Sequence, residues 1–424
     1  MTPELRHNLP VDGQRIWDDL MALAELTEPG RPYTRRSFSA TFLDGRAWLT
    51  ARFRAAGLTV RIDAAGNLIG RIEGTDAGAG TIALGSHSDT VPGGGRFDGT
   101  AGVIVALEAV RSMQERGIRL RHAVEVVDCL AEEVSEFGLS CIGSRAIAGA
   151  LPEDFLTRRK ADGETLAQAI GRMGGAPDEI ASARREDLCA WLELHIEQGR
   201  VLEATGLDLG IVTSVVGITR VEIVIEGRAD HAGTTGMADR RDALVAAASV
   251  VLAVRALAEA GAAAGQGHFV ATAGEIEVTP NAANVVPGTA RLLVEVRAVT
   301  EAATDGFLAD LAGSAEGCAQ AYGARVASFR VLSRGRPVGF DPALVALLRE
   351  VSAAQGLRTQ DMASGAGHDA AFFARIAPAA MLFVPNLDGR SHCPDEWTEK
   401  HHLSQGAAVL FETVRHLDRT CSVA

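Results

Sequence analysis

No two of the six cysteines (129, 141, 189, 318, 393 and 421) in this 424-residue chain form a Cys-x-x-Cys pair. Thiols scattered in this way speak for reduced side chains in a reducing compartment, not for a disulfide framework. Positive charge is also short: 41 Lys and Arg face 54 Asp and Glu, a formal net charge of −13, and no basic block offsets it. That balance argues against nucleic acid and against an anionic membrane surface as partners, and a small-molecule substrate fits better. Long apolar runs are missing too. The most apolar stretch, Ala243 to Ala258, is interrupted by Arg255 and is too short to span a bilayer, so it is expected to be a buried helix. Met1 to Leu20 is polar, carries Asp18 and Asp19 and lacks the apolar core of a signal peptide, so the expected compartment is the cytoplasm. Core-forming material is plentiful: 47% apolar residues at this length predict two or three domains with large interiors.

One stretch organises the rest. Thr81 to Leu84 reads as a buried strand, the glycines and proline from Val91 to Gly95 as a tight turn, and Thr100 to Met113 as a helix. His87 therefore falls at a strand end, and Asp89, two residues on, shares its face if the strand continues and can fix the imidazole tautomer. Asp98 enters the helix N-terminus, an arrangement that suits a cation. Further along, Ala123 to Leu130 is a short strand ending in Ala131-Glu132-Glu133, and Trp191 to Ile196 runs into His195-Ile196-Glu197-Gln198-Gly199. Ala380 to Val384 is a strand followed by Ser391-His392. Strand, helix, strand is the pattern of an α/β layer, whose functional groups collect beyond the strand carboxyl ends.

After Gly210 the texture changes to strand 218–227, helix 241–261, strands 268–278 and 289–297, helix 301–321 and strand 325–332. That order, βαββαβ, is ferredoxin-like. The expected fold is α/β: a mixed-sheet catalytic domain, 1–212 and 332–424, interrupted by an inserted ferredoxin-like lid or dimerisation domain at 213–331.

Four strand ends of the α/β layer thus each deliver His, Asp or Glu: His87 with Asp98, Glu132-Glu133, His195, and His392. One site explains them together. Two divalent ions take mixed imidazole and carboxylate ligands, and a carboxylate such as Asp98 can bridge them. Adjacent glutamates in extended chain face opposite ways, so one can bind while the other meets a water; a solvated loop is the plainer alternative. His231, in Asp230-His231-Ala232-Gly233-Thr234-Thr235, is either functional or a loop cap. Arg297 either reads a substrate carboxylate, with Asn284 in the preceding loop, or pairs with Glu295 or Asp310. The turn Ser364-Gly365-Ala366-Gly367 before His368-Asp369 either offers the N–H groups of Gly365 and Ala366 to an anion or caps a helix. His7, His122, His401, His402 and His416 have no convergent partners.

At these residues the chain resembles the amidohydrolase branch of the two-metal aminoacylase and carboxypeptidase-like enzymes: N-carbamoyl-L-amino acid hydrolases, β-ureidopropionases and allantoate amidohydrolases. The resemblance covers nearly the whole chain. It rests on Gly85-Ser86-His87-Ser88-Asp89-Thr90-Val91 with Phe97-Asp98-Gly99, on Glu132-Glu133, and on Glu193-Leu194-His195-Ile196-Glu197-Gln198-Gly199. Also matching are His231-Ala232-Gly233-Thr234-Thr235, Pro280-Asn281-Ala282-Ala283-Asn284, Ser364-Gly365-Ala366-Gly367-His368-Asp369 and Ser391-His392. His195 discriminates most, since the peptidase-like relatives usually carry a carboxylate there.

The resemblance implies metal ligands His87, Asp98, Glu133, His195 and His392, with Glu132 as general base. It implies that Gln198, His231, Asn284 and Arg297 hold the substrate, His231 also stabilising the oxyanion. Expected cofactors are two divalent ions per subunit, zinc or manganese, with cobalt or nickel as options. The expected reaction is hydrolysis of a linear C–N bond in the ureido group of an N-carbamoyl-L-amino acid, in a cytoplasmic homodimer. Alternatives are an allantoate-type amidohydrolase, an N-acyl amino acid amidase, or a metal-dependent binding protein on an inactive scaffold; an intact Glu132 speaks against the last. Two departures fall on the pocket rim. Glu132-Glu133-Val134-Ser135-Glu136-Phe137 stands where the family often has Glu-Glu-Gly-Ser-Arg-Phe, and Gly236 where Pro often follows His-Ala-Gly-Thr-Thr.

Overall fold

The computed structural model describes residues 9–421; His7 and residues 1–8 of the segment read as lacking a signal sequence lie outside them. Fifteen strands run in order among the described residues: β1 (Thr59–Ile62), β2 (Leu68–Ile72), β3 (Thr81–His87), β4 (Ala123–Cys129), β5 (Leu188–Ile196), β6 (Leu209–Val215), β7 (Gly217–Glu226) and β8 (Asp230–His231). They continue as β9 (Phe269–Thr279), β10 (Val285–Val286), β11 (Thr289–Ala298), β12 (Arg325–Arg334), β13 (Val338–Gly339), β14 (Thr359–Ser364) and β15 (Ala379–Val384).

The chain divides into two compact units. One takes the chain up to Thr213, Phe340–Met362 and from His368 on; the other is Ser214–Gly339 with Ala363–Gly367. The sheet of the first runs β1-β2-β4-β3-β5-β15-β6. Its centre, β4-β3-β5-β15, is parallel, and its margins are antiparallel. Every residue of β3, β4, β5 and β15 is buried, as expected of parallel strands covered on both faces. Trp191 on β5 lies flat on Phe373 at 3.6 Å. The helix Thr100–Glu115, nearly all buried, follows β3 and packs beside the C-terminal helix Lys400–Thr420. Because the central strands are parallel, the ends carrying His87, Glu132 and His195 all fall on one edge.

In the second unit β12-β7-β11-β9 form an antiparallel sheet. Helices Ala243–Ala263 and Glu301–Ala321 pack on one face against Val221, Ile223, Ile225, Leu292 and Val294. On the other face Glu222 pairs with Arg291 at 2.6 Å and Arg330 at 2.8 Å. The element order is βαββαβ, as the periodicity indicates. The unit runs past residue 331 because β12 continues to Arg334 and β13 pairs with Ser214 and Val215. Ala363–Gly367 belongs to it because Ser364 O accepts from Val216 N–H and Gly365 O from Arg297.

Five strands have no counterpart in the sequence reading: β6, β14 and the two-residue β8, β10 and β13. The polar β14, Thr-Gln-Asp-Met-Ala-Ser, is a strand because it pairs with β6, not because of its own composition. The apolar helix also differs from expectation. It is 21 residues long with a mean hydropathy of 1.9 in its best window, long and apolar enough by itself to cross a bilayer. It is only half buried: Ala243, Ala246, Ala247, Val250 and Val254 face the core, while Leu252 is 70% exposed. Small alanines let the helix lie close to the sheet, and its apolar character continues onto the outer face.

Candidate metal centre

Asp98 is the hub. It is held just before the helix Thr100–Glu115 by Gly99, whose φ of 62° favours glycine and where a Cβ would lie 2.3 Å from the His87 ring. The two carboxylate oxygens of Asp98 are shared out. Oδ1 lies 3.5 Å from His87 Nε2 and 3.4 Å from His195 Nε2. Oδ2 lies 3.4 Å from His392 Nε2, which is 3.2 Å from Glu133 Oε1. Two three-residue groups result, His87-Asp98-His195 and Asp98-Glu133-His392, each with ligand atoms within 4.8 Å of one another.

The imidazoles are set for ligation. His87 Nδ1 lies 3.0 Å from Asp89 O and His195 Nδ1 3.0 Å from Ile196 O. Only a protonated Nδ1 can serve a carbonyl, which leaves a lone pair on each Nε2. In the neutral rings the His195 lone pair accepts the Gly99 N–H at 3.1 Å, whereas His87 Nε2, 3.5 Å from Asp98 Oδ1, is buried without a hydrogen-bond partner. A lone pair set against a carboxylate oxygen in this way is repulsive unless a proton or a metal ion lies between them. Burial disfavours charge on His87, yet the surrounding Glu132, Asp89 and Asp98 outweigh it and raise its pKa well above the ordinary value. Burial likewise opposes but does not prevent a raised value at His195, next to Asp98. His392, bonded to Asp98 and Glu133, is pushed up to about 11. For Asp98 burial is outweighed by His195, His392 and His87, and its carboxyl falls well below the usual range. The site gathers positive charge, and the donor set of three imidazoles with a shared and an unshared carboxylate fits two divalent ions.

Glu132 belongs to neither group. Its Oε2 lies 3.6 Å from His87 Nε2 and its side chain is 10% exposed. Burial, only partly countered by His87, raises its pKa well above that of an ordinary carboxyl. Glu133 joins the His392 group while the Glu132 side chain points toward His87. Asp89 bears on His87 as expected and does more: its carbonyl O lies 3.0 Å and its Oδ1 3.5 Å from His87 Nδ1, and its carboxylate also accepts the Glu132 N–H at 3.2 Å and the Glu133 N–H at 3.3 Å. The chain turns at Ala131 (φ 54°), so the side chain of Asp89 reaches the next strand end.

Gln198 is also at the hub, donating Nε2–H to Asp98 Oδ2 at 2.6 Å. The sequence reading assigned no role to Ser391 or Glu396. Ser391 Oγ is 2.7 Å from Asp98 Oδ2 and 3.0 Å from Glu396 Oε2. Glu396 Oε1 accepts the N–H of Phe97 at 2.7 Å and of Asp98 at 3.0 Å. A Cβ on Gly95 would meet that carboxylate at 2.0 Å, so the glycine run read as a mobile turn is a close approach. A glutamate four residues after His392, facing a glycine run, was the available signal.

His231, Asn284, Arg297, Gly365 and Ala366 lie in the second unit. The β8–β10 ribbon pairs His231 with Val285, and Ala232 N–H donates to Asn284 O at 3.0 Å, which sets His231 and Asn284 side by side. His231 is exposed, its Nδ1 accepting only the Gly233 N–H at 3.1 Å. Arg297 donates Nε–H to Glu295 and Nη1–H to Gly365 O, both at 2.8 Å, so the ion pair considered from sequence exists. Among the described residues its Nη2 makes no hydrogen bond. The Ala366 N–H is taken by Ser364 Oγ at 3.1 Å. Asp369 stands at a helix N-cap without capping it; its Oδ1 instead accepts the Ser144 hydroxyl at 2.5 Å.

The model of peptidase family M20/M25/M40 matches residues 83–416. An N-carbamoyl-L-amino-acid amidohydrolase of Paenarthrobacter aurescens is 39% identical over 96% of this chain and 98% of its own length. One from Geobacillus stearothermophilus is 38% identical over 96% and 99%. The crystal structure of an amidase of the hydantoinase/carbamoylase family from Burkholderia multivorans superposes with a TM-score of 0.87 at 36% identity, covering 95% of this chain and 97% of that one.

Proposed function

Since this chain belongs to peptidase family M20/M25/M40, we propose that it is a two-metal amidohydrolase that cleaves the ureido group of N-carbamoyl-L-amino acids to amino acid, carbon dioxide and ammonia. The observation that carries the reading is Asp98, whose two oxygens face two separate imidazole groups beside a buried carboxylate, Glu132, that joins neither. The similarity to N-carbamoyl-L-amino-acid amidohydrolases over nearly the full chain supports the substrate class.

In this proposal His87, Asp98 and His195 hold one ion, and Asp98, Glu133 and His392 the other. A divalent pair supplies Lewis acidity and a nucleophile at neutral pH. Zinc or manganese suits this donor set. Glu132 takes a proton from the attacking water and delivers it to the departing nitrogen. His231 stabilises the oxyanion that develops on the ureido oxygen. Arg297 uses its unengaged Nη2 for the substrate carboxylate, assisted by Asn284, with Gln198 and the backbone at Gly365 as further contacts; the Ala366 N–H, held by Ser364 Oγ, is not among them.

The proposal includes a cytoplasmic homodimer joined through the second unit. Strand β9 ends its sheet, with Val270 and Ile276 exposed, and the helix Ala243–Ala263 shows Leu244, Val245 and Leu252 to solvent. An unpaired strand beside an apolar helix face is complementary to a second copy of itself.

The test is metal analysis with an ammonia-release screen over carbamoyl, allantoate-like and acyl amino acids. Ammonia from a carbamoyl-L-amino acid, abolished by chelation and restored by a divalent ion, is the expected result. Full activity in a verified metal-free protein, or release only from other substrates, overturns it.

A further inference from the structure

We infer that Cys141 is a positioning residue for Glu132: its thiol donates a hydrogen bond to one carboxylate oxygen and holds the other toward the metal centre. The inference rests on the reading of Glu132 as the base. Cys141 Sγ lies 3.5 Å from Glu132 Oε1, while Glu132 Oε2 is the oxygen near His87. Each oxygen therefore has its own neighbour, and the other acceptor near the thiol, the Glu132 backbone O, is farther away at 3.8 Å. Cys141 and Glu132 are 5% and 8% exposed, so bulk water is a poor substitute for the thiol. Burial first, and then the Glu132 and Asp369 carboxylates, raise the Cys141 pKa well above the ordinary thiol value, so the S–H is retained and can donate.

The backbone fixes this contact. The N–H groups of Cys141, Ile142 and Gly143 donate to the carbonyls of Glu132, Ala131 and Leu130 at 2.9, 3.1 and 2.8 Å. The loop between them closes on itself, and the thiol and the carboxylate are carried on its two stems. Cys141 also occupies the left-handed region, φ 52° and ψ 39°, where a β-carbon is unfavourable and glycine is the relaxed choice. The Cys141 side chain makes no capping hydrogen bond to the helix that starts at Ile142; its contacts are with Glu132.

The position of a hydrogen-bonded S–H stretching band gives a readout that needs neither metal nor substrate. The infrared difference spectrum of wild type minus Cys141→Ala isolates this thiol from the other five. It should show a hydrogen-bonded S–H in the metal-free protein, and in a Glu132→Gln background the band should move toward the free-thiol position, because an amide is a weaker acceptor than a carboxylate. Cys141→Gly relieves the left-handed backbone and should not lower Tm, yet it should reduce kcat about three- to tenfold, the scale of one hydrogen bond, with metal content and KM unchanged. Cys141→Ser should recover most of that loss. A free-thiol band in wild type, no band shift with Glu132→Gln, or wild-type kcat in Cys141→Gly overturns the inference. If the band shifts but Glu132→Gln stays fully active, the base assignment fails and the thiol contact stands.

Discussion

Replacing Glu132 by glutamine separates the base from the ligands. The side chain keeps its shape in a site where it is 10% exposed, and Glu132 is absent from both three-residue groups that can hold an ion. Metal content should therefore stay at the wild-type value. What is lost is a proton acceptor: a carboxylate whose pKa burial raises well above the ordinary carboxyl value becomes an amide that takes up no proton. General-base contributions of about 10²–10⁴ correspond to roughly 2.7–5.4 kcal/mol at 1.36 kcal/mol per decade, so kcat should fall by that factor while substrate binding is kept. Glu133→Gln must behave differently, because Glu133 Oε1 is 3.2 Å from His392 Nε2 and removal of its charge weakens one group directly. The assay pairs ammonia release with metal determination on both variants after the same dialysis. Loss of an ion from Glu132→Gln with retention in Glu133→Gln would refute the reasoning and exchange the two roles.

Arg297→Ala should lower kcat/KM by about 10- to 150-fold, the scale of a hydrogen bond to a charged group, and should erase the preference for a carbamoyl amino acid over its carboxamide; equal discrimination in both enzymes means that Arg297 serves only Glu295. Gly95→Ala should displace the Glu396 carboxylate from the Phe97 and Asp98 N–H groups, costing about 1–3 kcal/mol and weakening metal binding, as calorimetric titration of apo protein would detect. Leu252→Glu, on the exposed face of an apolar helix, should turn a dimer into monomer in sedimentation without lowering the stability of the unit; an unchanged dimer moves the interface elsewhere. His402, lowered to about 4 by burial and by His401, stays neutral in the fold while the unfolded chain protonates near 6.5. Its contribution is intact above that value and is lost as pH falls from about 6.5 to about 4, so His402→Gln should flatten the decline of Tm over that window.

The sequence by itself determined the elements whose signals are local. Buried apolar runs marked β3, β4, β5 and β15, and alternation with helical periodicity marked the βαββαβ unit. Since a parallel sheet places its strand ends on one edge, His87, Glu132, Glu133 and His195 were legible as one site before any coordinates. Asp98 was legible, from its place before a helix, as a carboxylate suited to a cation.

Tertiary structure alone decided what depends on neighbours distant in the chain. The division of Asp98 between two groups needs His392, and its support by Ser391 and Glu396 spans nearly three hundred residues, where no periodicity carries a signal. Strand β14 is polar and exists through its pairing with β6, so its own residues do not announce it. The helix Ala243–Ala263 was read as buried from composition, but burial is a property of what packs against a surface, and the structure leaves one apolar face open. The Asp89 side chain faces His87 as its spacing indicates, but its carbonyl contact with the same Nδ1 and its hold on the Glu132 and Glu133 N–H groups depend on turns that spacing does not encode. The Cys141 thiol meets Glu132 because the loop between β4 and the helix Ile142–Ile147 closes on itself, a closure that no periodicity in the chain encodes.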